Sequence, residues 1–112
     1  MNLESLTAYG AKTNEGMARC MNNESFYLRM VKMTLEDKSF NALKAAMEAE
    51  DAHAAFEAAH ALKGITGNVS LTPIYEPVCA LTDLLRGRNT LADGSQALVE
   101  QIMNEREKAL KL

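Results

Sequence analysis

The chain predicts an all-α fold, an up-and-down antiparallel four-helix bundle preceded by short N-terminal helical additions. Three observations carry that expectation. Apolar residues recur at intervals of three and four, as on amphipathic helices. Only two prolines and six glycines occur in 112 residues, and no sustained β-branched alternation marks a strand. Connections between the long helical patterns are short, which favours antiparallel neighbours.

The first helix spans Leu3 to Tyr9 and stops near Gly10, since glycine readily ends a helix. Asn14 is the expected cap of a second short helix, to about Met21. Asn22 and Asn23 punctuate the chain, and a longer helix follows with Phe26, Met30, Val31 and Met33 as its apolar stripe. A soft break at residues 37–39 separates it from Phe40–Ala49, where Leu43, Ala46 and Met47 repeat at helical spacing. One bent helix would satisfy the same pattern. Asp51 caps the next helix, which runs to roughly Asn68. Thr72 and Pro73 read as an N-cap and first-turn proline. The helix they open carries Val78, Leu81, Leu84 and Leu85 and ends at Gly87. A last helix begins at Leu91 or Ser95 and continues to the C-terminus, with Leu98, Ile102 and Met103 inward. Residues 1–112 read as a single domain, long enough for one core but not two. Met1 and the lack of a linker point to a stand-alone domain.

Composition narrows the function classes. The chain is 47% apolar and 24% charged with a formal net charge of −3, so no basic excess supports nucleic-acid binding through phosphates. Aromatics make up 5% and Trp is absent, which removes the usual stacking platforms for single strands. Seven methionines suit adaptable helix packing. Cys20 and Cys79 fit no zinc or CxxC spacing and read as small core residues. No apolar run approaches the roughly 20 residues that span a bilayer, and no signal segment is evident. A cytoplasmic protein with no membrane contact is the expectation.

Residues 59–64, Ala-His-Ala-Leu-Lys-Gly, carry the chemistry. Side chains three and four apart are neighbours on a helix, so His60, Lys63 and Gly64 share one surface. At about 100° per residue, Ala55, Ala58, Leu62, Ile65 and Val69 fall on the core side. His53, Phe56, Glu57, His60, Lys63, Gly64 and Gly67 fall opposite, which turns His60 to solvent. Each of the two glycines costs a helix about 0.8–1.0 kcal/mol relative to Ala. On the outward face, clearance for a bulky partner is the expected return. Phe56, one turn before His60, reads as an exposed aromatic in a docking patch. Lys63 suits stabilising a phosphoryl group as a point charge.

The stretch AAHALKGITGNVSL, Ala58 to Leu71, resembles the signature of histidine-containing phosphotransfer (HPt) domains. Their pattern is approximately His-x-Leu-Lys-Gly, then small residues, an aliphatic residue and often Gly. His60, Leu62, Lys63, Gly64, Gly67 and Val69 match it, while Ser70 stands where the family often has Gly. Elsewhere the resemblance is architectural, with Phe26–Val31 before the motif and Leu81–Leu85 after it. The resemblance implies a phosphorelay intermediate. His60 would be the phosphoryl acceptor, exchanging the group with phospho-aspartate receiver domains of response regulators, those of a hybrid histidine kinase included. Lys63 would offset phosphoryl charge, and Phe56, Glu57, Gly64 and Gly67 would form the docking surface. The implied protein is a monomeric phosphocarrier with no cofactor of its own, the Mg²⁺ and acidic pocket coming from the receiver. No P-loop or glycine-rich kinase loop is present, so ATP-dependent autophosphorylation is not expected.

Two rivals belong to other classes. Glu50-x-x-His53 and Glu57-x-x-His60 match the element of di-iron bundles, but both lie on one helix. Seven residues separate the histidines by about 10.5 Å, too far to share one ion. A non-catalytic adaptor that docks receiver-like partners is the second rival; the presence of both His60 and Lys63 argues against it.

Overall fold

Seven helices and no strand make up the computed structural model, which describes all residues from Met1 to Leu112. They are α1 (Leu3–Tyr9), α2 (Thr13–Arg19), α3 (Glu24–Leu35), α4 (Ser39–Glu48), α5 (Ala52–Asn68), α6 (Thr72–Leu85) and α7 (Ser95–Leu110). The break expected at residues 37–39 is real, and α3 and α4 are separate helices.

Polar side chains set three of the seven starts. Asn2 Oδ1 accepts from the Ser5 N–H at 2.7 Å, and the Ser5 hydroxyl accepts from the Asn2 N–H at 3.1 Å, a reciprocal cap that satisfies two orphan donors. Asn23 accepts from the Phe26 N–H and Asp51 from the Ala54 N–H, each at 3.0 Å. Gly10 closes α1 at φ 115°, a left-handed conformation that favours a residue without Cβ. Two starts differ from expectation. Lys12 occupies the cap position of α2 with no side-chain bond, and Asn14 lies inside the helix. The carbonyl of Lys12 receives the first helical donors, so the backbone alone begins this short turn. Helix α6 starts at Thr72, with Leu71 as its cap; Pro73 is still in the first turn, where its missing N–H has no consequence.

Helix α5 lies between α4 and α6, α6 packs on α7, and α7 closes against α3 and α4. A single cluster of 22 buried apolar residues fills the centre. On α5 the inward face is Ala52, Ala55, Ala58, Ala59, Leu62 and Thr66. Ile65, expected in the core, is half-buried, and Thr66 takes the central place. The Thr66 hydroxyl donates to the Leu62 carbonyl at 2.7 Å, so the polar atom is satisfied within its own helix.

The stripe expected on α3 is rotated. Tyr27, Val31, Thr34 and Leu35 are buried, whereas Phe26 is 39% and Met33 59% exposed. Spacings of four, three and one hold the buried set on one face. Tyr27 enters it because its hydroxyl donates to the Val69 carbonyl at 2.9 Å, which lets a large polar-tipped ring be fully buried. On α7 the inward residues are Val99, Ile102 and Ala109, with Leu98 and Met103 partly buried. Cys20 is buried and Cys79 half-buried, both as free thiols.

The two short helices are tied to the bundle rather than appended loosely. Tyr9 Oη lies 2.9 Å from the Glu105 carbonyl oxygen and 3.0 Å from its carboxylate. Lys12 N–H donates to the Ser70 carbonyl at 3.0 Å. A Cβ on Gly16 would stand 2.3 Å from the Tyr27 ring, so α2 approaches α3 as closely as a glycine permits. No helix is long and apolar enough to cross a membrane.

Candidate functional site

Helix α5 is oriented by its small inward face, and that orientation decides what the motif presents. Ala59 and Leu62 are buried. Between them in angle and outward, His53, Glu57, His60 and Gly64 are exposed, while Phe56, Lys63 and Gly67 are half-buried on the flanks. His60 therefore faces outward, as the helical periodicity requires.

On one side of His60 stands Phe56, with ring centroids 5.9 Å apart and planes tilted by 31°. The Arg86 guanidinium of the α6 C-cap lies 5.6 Å from the Phe56 centroid and 3.3 Å from Asp83. Phe56 also packs against the core. The expectation of a freely exposed aromatic is thus corrected: α6 passes close enough for part of the ring to be covered.

On the other side the surface opens into a groove of about 560 Å³. Three cations line it with His60: Lys63 from α5, Lys12 from the α1–α2 turn and Arg19 from the end of α2. Glu15 and Glu76 are its carboxylates, and Tyr75 is its aromatic wall. Arg19 donates through Nη1 to the Gly67 carbonyl at 3.1 Å and to Ser70 Oγ at 2.7 Å. The Gly67 carbonyl also accepts from the Ser70 N–H at 3.1 Å, so Arg19 adds a second donor there and complements the negative end of the α5 dipole.

The two glycines have different neighbours. A Cβ on Gly64 would meet nothing within 4 Å, whereas one on Gly67 would lie 2.9 Å from Tyr75 Cε1. Gly64 leaves open surface beside the imidazole. Gly67 does not, contrary to expectation, because α6 lays a tyrosine ring against it.

His53 sits two turns from His60 and pairs with Glu57 at 3.6 Å, both side chains well exposed. Glu50 has φ 52° in the turn before α5, so it shares no helix face with His53. No three His, Cys, Asp or Glu side chains converge as metal ligands do.

Lys12, Arg19 and Tyr75 escaped the reading of the sequence. Each is remote from His60 along the chain and carries no local motif. A lysine at a cap position and an arginine at a helix end are ordinary surface residues until α2 is placed over the end of α5. Chemically, the assembled site offers an outward imidazole, open space on its Gly64 side, and positive charge converging from two helices and a turn.

Residues 27–111 match the model of the Hpt domain family. The matched region begins within α3 and includes α4 to α7, leaving α1 and α2 outside. No curated protein and no solved structure matches the chain.

Proposed function

The chain belongs to the Hpt domain family, whose members perform histidine phosphotransfer in phosphorelays with receiver domains, and from that premise we propose that His60 is its phosphoryl carrier. The observation that supports this most directly is the placement of His60. It is solvent-exposed at the edge of a groove lined by Lys12, Arg19 and Lys63, with unobstructed surface at Gly64.

The lone pair of the unprotonated ring nitrogen attacks phosphorus of a receiver's aspartyl phosphate. As the P–N bond forms, the P–O bond breaks and the aspartate carboxylate leaves with the bonding pair. The imidazole keeps the proton on its other nitrogen, and the reverse sequence delivers the group to a second receiver. Charge on the transferring group is spread over its peripheral oxygens, so catalysis rests on positioning and electrostatic stabilisation. Lys63, one turn from His60 and free of any ion pair, supplies such a charge. The receiver contributes Mg²⁺ and its acidic pocket. Phe56, Glu57 and Gly64 form the contact surface on α5, and Gly67 shapes it through Tyr75.

A receiver phosphorylated with acetyl phosphate and mixed with this protein tests the proposal. Acid-labile phosphate is expected on the wild type and none on His60→Gln. Binding without transfer from any receiver would instead leave a docking adaptor.

A further inference from the structure

The helices that precede the family-matched region contribute a wall of the groove. We propose that Lys12 is a second phosphoryl-binding cation, acting with Lys63 on a phosphoryl group carried by His60. This rests on the assignment of His60 as the carrier.

The backbone of Lys12 is held from several sides. Its N–H donates to the Ser70 carbonyl at 3.0 Å, and its own carbonyl accepts from Glu15 and Gly16 as α2 begins. The preceding turn is set by the left-handed Gly10, which also stands close to Pro73. Arg19, at the other end of α2, clamps that helix to Gly67 and Ser70. These contacts place Lys12 over the α5–α6 junction, on the groove that His60 lines.

Its ammonium is uncommitted. Lys12 enters none of the three ion pairs of the protein and donates no side-chain hydrogen bond. Arg19 differs, since Nη1 is already bonded to the end of α5. Of the three groove cations, Lys12 and Lys63 are therefore the two whose charged groups have no partner in the fold. A flexible ammonium serves a phosphate well as a point charge, and two lining one groove offset the phosphoryl charge better than one. Glu15 and Glu76 oppose them, so the groove has an excess of one positive charge before His60 is counted (three cations against two carboxylates).

The sign of the effect is fixed by electrostatics. A nearby cation favours the more highly charged form of an acid, so Lys12 lowers the last pKa of the phosphoryl group on His60. The test phosphorylates the whole protein with phosphoramidate, a small donor that needs no receiver. The phosphoryl group is then titrated by its ³¹P chemical shift in low and high salt. Lys12→Ala should raise that pKa by about 0.2–0.7 unit, the range one exposed charge pair supports. Lys12→Arg should restore it, and high salt should shrink the difference. Lys44→Ala, in the separate groove between α4 and α7, should not move it. An unshifted titration in Lys12→Ala, with His60 phosphorylated normally, overturns this inference alone. A wild type that takes no phosphoryl group on His60 from phosphoramidate or from any phosphorylated receiver overturns the carrier assignment, and this inference with it.

Discussion

Gly64 and Gly67 stand three residues apart on one helix, yet substitution should separate them. Gly64→Ala adds a methyl to open space and removes a helix-interior glycine, so the protein should gain about 0.5–1 kcal/mol, read as a higher urea midpoint. Gly64→Leu should keep that fold but obstruct the approach to His60, slowing transfer from a receiver at least tenfold while thermal stability holds. Gly67→Ala should forfeit the gain, because its Cβ reaches 2.9 Å from Tyr75 and the ring must move. Equal stabilisation by the two alanine variants would contradict this account of the α5–α6 contact. Lys63→Ala should slow transfer with an unchanged helical signal in circular dichroism, since the side chain supports no ion pair in the fold.

Among the helices, the contact of α2 with α3 and the end of α5 shapes the groove. Gly16 sits against the ring of Tyr27, which is fully buried and bonded to Val69. A methyl at that point has no room, and Gly16→Ala should cost about 1–3 kcal/mol through overpacking. Chemical denaturation measures the loss; an unchanged midpoint would show that α2 is not held in this way. The strength of local signals explains which elements were legible. Helix α1 with its Gly10 stop, the Asp51 cap and the body of α5 are written in nearby residues. The face of α3 is not, because Tyr27 and Thr34 count as polar or mixed until their partners are known. Phe26 and Met33 look like core residues by hydropathy alone, and only the neighbouring helices leave them outside.

For the molecule as a whole, a half-buried and a fully buried tyrosine set its response to alkali. Burial, with help from the Glu105 carboxylate, pushes the Tyr9 hydroxyl well above its usual value of about 10, and burial likewise raises Tyr27. The fold thus retains protons that the unfolded chain releases. Stability from these groups is fully present below about pH 10 and declines as pH rises beyond it. Urea midpoints should fall between pH 8 and pH 11, and Tyr9→Phe should flatten that fall. A variant with the same slope would remove Tyr9 from the explanation.

Helical class, the order of the long helices and the outward direction of His60 were determined by the sequence itself. They depend on periodicity and short-range caps, which act within a few residues along the chain. The cover over Phe56, the tyrosine against Gly67 and the arrival of Lys12 and Arg19 beside His60 were decided by tertiary structure. Those contacts join residues as many as 58 positions apart, as between Lys12 and Ser70. They arise only when α2 and α6 are packed against α5, where shape and hydrogen-bond satisfaction, rather than local propensity, select the neighbours.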